Sequence, residues 1–486
     1  MPDILGIGKS GLMTTTKSLE TTGHNISNAN TEGYSRQRVM QEANAPVNKG
    51  GMVQGTGVRV KGIERVHDEF VEKRLGQQTS KNSYDKEKSS QLKQVENVFN
   101  EIDSKGLSKV LTKFFNSFRQ LANQPENETI RSVVREKAEL VTSDFKKMRD
   151  SLDRISRNID KNIEREVEDI NQLTDGITKL NKKIAMLEGI GDETGDLRDQ
   201  RDMLVRELSK SFEVHTYTDG RNNYIVSAKG VGTLVSAGQN QTLRVGTQSA
   251  EKSSNGMPGS VEVYFESRPS KSISKNFKGG RLSSMIDVRN QNISGLQEHV
   301  DQVAYEFAKS VNAIHRKGFI HNPQTSGPRG PAGKNSGGAV TGIDFFKEPE
   351  SIKGAASKLT LSDAIKDDAK NIATAMDPNS PGDNRIAVAI SKVQDERFME
   401  GGSATIEESY LKAIGNIGLE AGKAQLNSEQ SEGVLAQLNN LRERISGVNL
   451  DEETANMVKF QHAYNASAKV IQTADEMFQT VLGMKR

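Results

Sequence analysis

Both ends of this chain repeat apolar residues every seven positions, and nothing else in the sequence constrains the fold as strongly. Near the start, Leu5, Leu12, Leu19 and Ile26 share one register, with Gly8, Thr15 and Thr22 in the intervening d-type places. Near the end, Leu450, Met457, Tyr464, Ile471 and Phe478 keep the same spacing. Phe460, Ala474 and Val481 fall on the adjacent positions there, and Ser467 is the polar exception. A seven-residue apolar repeat marks a helix that buries a narrow stripe against another helix. Four repeats in so polar a context form only a marginal helix alone. The two termini are therefore expected to be partner helices, one from each end of a 486-residue chain.

Taken in order, the lead-in helix is expected over Ile4–Ile26. It stops where Asn25, Asn28 and Asn30 crowd together, and Gly33 marks a turn. Thr56 to Val60 alternates like a strand, and helical patterning resumes from Val66 to Leu75 and on through Phe99. From Glu128 to Glu188, apolar residues recur at steps of three and four, from Val141 and Phe145 to Ile184 and Leu187. That predicts one helix of about sixty residues, on the order of 90 Å long. Short β-type runs follow, among them Tyr224-Ile225-Val226 and Val261 to Phe265, with a hairpin signal at Asp219-Gly220. Helix returns over Gly280–Ala313, around Ala387–Phe398 and from Tyr410 to Ile445, while 322–338 is a Pro/Gly/Ser loop.

This order predicts a mainly α, elongated protein with a β-rich insertion and a nested, hairpin-like layout. A terminal coiled-coil domain would comprise 1–58 with 440–486. A helical rod domain would comprise 59–211 with 281–321 and 381–439. Residues 212–280 would be a β-rich insertion facing outward, and 322–380 a loop-rich segment of the outer region. Because the insertion lies between helices that can still pair, deletion of about 216–276 is expected to be tolerated.

Composition bounds the function. Apolar residues make up 34%, aromatics 5%, and there is no Trp, which fits a helix-rich subunit that gains burial on assembly better than one large globule. Lys+Arg number 66 against Asp+Glu 64, with the signs interleaved, so no segment reads as a nucleic-acid-binding tail. With no Cys there is no disulfide or thiolate chemistry. No basic-then-apolar leader opens the sequence and no run of 18 apolar residues could cross a bilayer, so no membrane insertion is expected.

The words at the two ends are more specific than their periodicity. The run GHNISNANTEGYSRQRV resembles the amino-terminal signature of the bacterial axial flagellar proteins, the rod, hook and hook-associated subunits. The closing GVNLDEETANMVKFQHAYNASAKVIQTADEMFQTVL is similar to the hook-associated members at the hook–filament junction. So are VNAIHRKGF, TGIDFF, LTLSDAIKDDAKNIATAM and GDNRIAVAISKVQ in the middle. The likeness is weakest over roughly 212–280. It implies a structural, non-enzymatic adaptor joining hook to filament by self-assembly. The implied partners are itself, hook protein, and a second junction protein or filament subunits, with an export chaperone on the carboxy-terminal helix. It also implies an extracellular place in the flagellum, reached by flagellar type III export without a cleaved signal. In that family the signature lies at inter-subunit contacts, so Asn25, Asn28, Asn30, Tyr34, Arg36 and Arg38 become assembly candidates beside the two heptad stripes. By composition alone those asparagines are an ordinary helix cap and turn. The alternatives are a hook or filament subunit proper, or a secreted enzyme or adhesin that borrows axial termini for export.

Chemical motifs are weak. Gly6 to Gly11 matches GxGxxG, and Gly8-Lys9-Ser10 imitates the end of a phosphate loop, but that loop's first glycine would fall on Asp3. Glycines that let two helices approach closely are the simpler account. His315 and His321 are the nearest histidine pair, with no HExxH and no Cys beside them, so no metal, cofactor or catalytic group is expected. His315 is expected to be a packed structural residue, and His24 to make a helix-end hydrogen bond.

Overall fold

The computed structural model describes residues 4–49, 52–103, 106–191, 193–236, 238–247, 260–320, 334–336 and 339–484. The chain opens with α1 (Ile4–Ser27), then four short strands, β1 (Gln37–Ala43), β2 (Val47–Lys49), β3 (Met52–Gln54) and β4 (Val58–Arg65). β1 pairs antiparallel with β4 from Gln37↔Arg65 to Ala43↔Val58, and β2 pairs with β3. Four helices follow: α2 (Glu69–Asp103), α3 (Leu107–Asn123), α4 (Glu128–Gly189) and α5 (Gly195–Ser211). Helix α2 starts later than the apolar pattern suggests. Asp68 caps it, its Oδ1 accepting from the Phe70 and Val71 amides at 2.9 and 3.2 Å, so Val66 to Asp68 lie outside.

The 62 residues of α4 match the predicted rod and would span about 93 Å. Asn127 caps its start by accepting from the Thr129 and Ile130 amides. Its buried stripe runs through Val134, Val141, Phe145, Met148, Leu152, Ile159, Ile163, Ile170 and Ile177, the three-and-four spacing read from the sequence.

Strands β5 (Val214–Thr218), β6 (Tyr224–Ala228), β7 (Gly232–Ser236) and β8 (Gln239–Asn240) form a four-stranded meander. A second sheet has the order β11-β10-β9, from β9 (Leu243–Thr247), β10 (Val261–Phe265) and β11 (Arg268–Ser272). The expected insertion is therefore present, but it is not a detached outer module. Val226, Leu234, Val235, Leu243 and Val263 belong to the same buried cluster as the α4 stripe. Asn171 of α4 both donates to the Leu243 carbonyl (2.8 Å) and accepts from its amide (2.9 Å).

Next come α6 (Gly280–Asp287), a π-helical turn (Val288–Ile293) and α7 (Ser294–His315). Strands β12 (Phe319–Ile320), β13 (Lys334–Ser336) and β14 (Ala339–Thr341) precede three short helices, α8 (Ala355–Lys358), α9 (Asp363–Asp367) and α10 (Arg385–Lys392). Helix α10 stops at Lys392, short of the expected Phe398, because the chain turns back there. Most of the expected 322–338 loop, and His321, lie outside the described residues. Two long helices close the chain, α11 (Ile406–Ser446) and α12 (Leu450–Gly483), with a reciprocal Thr405/Glu408 capping box at the start of α11.

The sparse aromatics are concentrated where α3, α4 and α7 meet the 345–346 segment. Phe114 packs on Phe115, Phe118, Phe307 and Phe345 at centroid distances of 5.2 to 5.9 Å. His315 lies beside them, fully buried; its Nδ1 is 2.7 Å from the Ile343 carbonyl, and its Nε2 accepts from the Ala373 amide at 2.9 Å. Burial, only partly opposed by the Ile343 carbonyl and Asp344, pushes its pKa down to about 4. The unfolded chain then takes up a proton below about pH 6.5 that the folded chain refuses. Stability should be full above pH 6.5 and fall as the pH drops towards 4, by about 3 kcal/mol from this group. Urea midpoints at pH 7 and pH 4.5 should converge more closely in His315→Gln than in the parent. An unchanged acid loss in the variant would remove His315 from the account.

Candidate assembly interface

Helices α1 and α12 run antiparallel against each other: Gly8 lies beside Ile471, Gly11 beside Ser467, and Asn25 beside Glu453. The expected pairing of the termini is therefore present; the d-type places Gly8, Thr15 and Thr22 are buried as expected, while the leucine register beside them is not. On α1 the buried residues are Gly8, Thr14, Thr15, Ser18, Thr21, Thr22 and Asn25. Leu12, Leu19 and Ile26 are half-buried and Leu5 is exposed. A Cβ on Gly8 would lie 2.8 Å from Ile471 Cγ1, so glycine sets how closely the helices approach. Ile471 thus packs closely against Gly8. Buried hydroxyls are satisfied within α1 itself: Ser18 donates to the Thr14 carbonyl (3.0 Å) and Thr21 to Lys17 (2.9 Å). This lets a polar face be buried without stranded donors. The GxGxxG match lies wholly inside this helix.

On α12, Met457, Phe460 and Ile471 are half-buried and Ala474 is buried. Leu450, Tyr464 and Phe478 stay exposed, Leu450 and Phe478 at 50% and 46%. Each heptad stripe is thus only partly covered within one chain.

The polar signature folds back into the chain. Asn25, 1% exposed, is its hub. Its Nδ2 donates to the Gln37 carbonyl (2.9 Å) and to Glu453 (3.2 Å). Its Oδ1 accepts from the Tyr34 hydroxyl (2.8 Å) and the Gln37 amide (2.9 Å). Burial, and after it the charges of Asp196, Asp199 and Glu453, hold the Tyr34 phenol well above its ordinary pKa, so it stays a donor. The Ser35 amide donates to Asp199 (2.9 Å), the Arg36 amide to the Ser446 carbonyl (2.8 Å), and the Arg36 guanidinium to Glu452 (2.6 Å). Asn28 donates to the His24 carbonyl (3.0 Å), closing the end of α1, while Asn30 and Arg38 are exposed. His24 faces Asp196 at 3.2 Å. Within the single chain Asn25 and Tyr34 are internal fasteners, their polar atoms taken up by one another, by Gln37 of the β1–β4 hairpin and by Glu453 of α12.

Sequence reasoning missed the residues that receive the signature. Arg65 meets Asp199 and Asp202 at 2.6 and 2.9 Å. Arg442, on the last turns of α11, donates to the Gly33 carbonyl (2.9 Å) and to Glu72 (2.9 Å), which also holds Arg206 (3.0 Å). Burial opposes ionisation of Glu72, but Arg206 and Arg442 outweigh it and keep its carboxyl below the usual range. Gly33 has φ +82°, and a Cβ there would sit 2.4 Å from Met203 Cγ. The one available signal was the density of charged residues in 193–206, which by itself looks like any solvated helix.

Asn25→Ala should leave the Tyr34 hydroxyl and both backbone groups of Gln37 without partners, at about 1–3 kcal/mol for each buried group. Hydrogen exchange at the Gln37 amide should accelerate while the aromatic cluster melts unchanged. Undiminished protection of that amide would show that Asn25 is not the hub.

Among the described residues, no group of three or more His, Cys, Asp or Glu side chains could hold a metal ion, and no helix is long and apolar enough to cross a membrane. Residues 92–328 match the flagellar hook-associated protein FlgK helical domain family. Residues 5–34 match the flagella basal body rod protein family, and 443–484 the flagellar basal body rod FlgEFG protein C-terminal family. Flagellar hook-associated protein 1 of Bacillus subtilis (strain 168) is 32% identical over 501 residues, 96% of this chain and 94% of that protein. The protein of the same name from Escherichia coli (strain K12) is 26% identical over the full length of both. The solved structure of the flagellar hook junction protein FlgK from Burkholderia pseudomallei superposes with a TM-score of 0.63 at 14% identity, covering 77% of this chain and 100% of that one, and so shares the fold. With matches to both ends and to the rod between them, the chain belongs to the flagellar hook-associated protein 1 family.

Proposed function

We propose that this chain is the structural subunit that joins the flagellar hook to the filament, and that it does so through the α1–α12 pair. Membership of a structural flagellar family places it in the flagellum, among hook and filament components and copies of itself. The observation that carries the mechanism is the half-covered stripe. Leu5 on α1, and Leu450, Tyr464, Phe478 and Val481 on α12, remain exposed although they repeat with the register of a packed seam. Neighbouring copies supply the missing cover, building a layer with hook protein on one side and a second junction protein or filament subunits on the other. The signature then acts one step back from the interface: Asn25, Tyr34 and Arg36 hold the terminal pair at a fixed angle to the rod. Residues 1–58 with 440–486 work as the assembly domain, and the β sheets lie along the rod at larger radius. The route out is flagellar type III export, and a chaperone covers the apolar stripe of α12 before assembly. A density map of the hook–filament boundary tests this. It should show a layer of this chain with Tyr464 and Phe478 against a neighbouring copy; the chain elsewhere in the flagellum, or those side chains in open solvent, would overturn it.

A further inference from the structure

A cleft of about 240 Å³ lies where the start of α2, helix α5 and the β5–β6 hairpin meet. That is smaller than the roughly 300–1,000 Å³ of sites for organic ligands. Five Arg and Lys side chains line it against three carboxylates. Most of these charges are already paired. Arg65 holds Asp199 and Asp202, Arg206 meets Glu72 at 3.0 Å, and Arg198 meets Glu188 at 2.5 Å. Arg201 is not, although it is only 7% exposed. Its Nη1 makes a long hydrogen bond to Asn181 Oδ1 (3.3 Å), and its Nε is buried with no hydrogen-bond partner. Asp202 stands 3.7 Å from that Nε, with its other oxygen on Arg65. The guanidinium carbon lies 3.6 Å from the centre of the Tyr224 ring, which covers one face of the group. Burial, and with it the charges of Arg198 and Arg65, hold Arg201 below its ordinary pKa against the pull of Asp202 and Tyr224. A buried charge is costly unless it is paired.

We propose that this cleft binds a small oxyanion of the size and charge of inorganic phosphate, and that Arg201 is the residue that calls for it. The planar N–H groups of a guanidinium match the oxygens of phosphate, and one anion supplies several acceptors at once. The chain's own carboxylates do not fill this role, because Asp202 and Glu72 are held by other arginines. Lys73, exposed on α2, adds a cation at the edge of the cleft. Five cations against three carboxylates leave an excess of two, which a dianion cancels. The small volume favours the bare ion over an organic phosphate. The site also lies at a joint. Arg65 belongs to the β1–β4 hairpin, and Glu72 passes the link on to Arg442 and the Gly33 carbonyl. A bound anion therefore ties the terminal hairpin more firmly to the rod.

The purified full chain is titrated with sodium phosphate into the millimolar range at constant ionic strength, where the general stabilising effect of phosphate is small. Calorimetry should show saturable binding of a single ion, and the thermal midpoint should rise and level off with it. Sodium chloride should do neither. Arg201→Met keeps an apolar stem over Tyr224 and removes the charge. It should melt at or above the parent without phosphate and no longer respond to phosphate. Lys73→Gln, a change at an exposed position, should bind about tenfold more weakly, the equivalent of about 1.4 kcal/mol. No saturable binding by the parent overturns the proposal, and so does unchanged binding by either variant. An Arg201→Met chain that melts well below the parent, or does not fold, shows that the chain already compensates this charge and removes the ground for the site. None of these failures touches the adaptor reading, in which no step needs an anion.

Discussion

Removing residues 216–276 should leave a chain that no longer folds, in place of the tolerated deletion that its position between two helical segments suggests. The two sheets cover the carboxy-terminal half of α4. Val226, Leu234, Val235, Leu243, Val261 and Val263 are buried in one cluster with Ile163, Ile170 and Ile177. Fully exposing an aliphatic side chain costs roughly 1.5–3 kcal/mol. Three or four such losses reach the whole net stability of an ordinary domain, about 5–15 kcal/mol. Polar losses add to this. Asn171 and Asn181 would lose the Leu243 and Tyr224 backbone groups they bond, and the fully buried Arg289 would lose the Val261 carbonyl at 2.7 Å. The deleted chain should be insoluble or rapidly cleaved, with no cooperative melt. A milder variant, Leu234→Asp, should lower the thermal midpoint by many degrees for the same reason. A soluble deletion chain melting with the parent would show that the sheets are an independent appendage.

Elements with strong periodicity were legible in the sequence. The stripe of α4 fixed its span to within a residue of Gly189, because a helix that buries one face over seventeen turns leaves no other reading. Short elements were not. Helix α10 ends six residues early, since eight residues of apolar pattern do not say where tertiary contacts turn the chain. Asp68 moved the start of α2, and a cap of that kind is visible only once the first turn is known. The terminal pairing was legible too, and its face in part: the d-type places Gly8, Thr15 and Thr22 are buried, but Thr14, Ser18 and Thr21 beside them were not foreseen. Leucines at every seventh place point to a buried seam, and hydropathy gives no weight to a face of Gly, Thr and Ser. That face is the one buried, because small side chains allow close approach and hydroxyls can bond their own helix. Leucines that stay uncovered beside it are the part of the pattern that belongs to the assembly. Likewise Asn25 reads as a cap by composition and as a contact residue by resemblance. Its four hydrogen bonds reach residues as far away as Glu453, a distance in sequence that no local pattern encodes.

Ile471→Asp should keep the central cluster folded and yet prevent stable incorporation at the hook tip, so that filament subunits leak into the medium. Ile471 is half-buried against Gly8, outside the aromatic and α4 cluster, so the melt of the soluble chain should move little. Full burial of an isoleucine is worth roughly 1.5–3 kcal/mol, only part of which one chain realises. The remainder becomes available when a neighbouring copy covers the stripe, and an aspartate forfeits it while adding an unpaired charge to a desolvated seam. In a closed layer that loss is repeated at every subunit, so a modest defect in one copy becomes a large one in the whole. Gln472 supplies the control. It is exposed and accepts from Lys469 at 3.0 Å, a bond that an aspartate can also make, so Gln472→Asp should assemble nearly normally. Secretion has to be scored apart from incorporation, because α12 is also the proposed chaperone surface: the variant should be found outside the cell but not at the junction. Gly8→Leu should reproduce the defect from the opposite helix, since its side chain would occupy the space Ile471 fills. If Ile471→Asp is exported and still builds normal filaments, the close contact of α1 with α12 is not what holds the subunit in place.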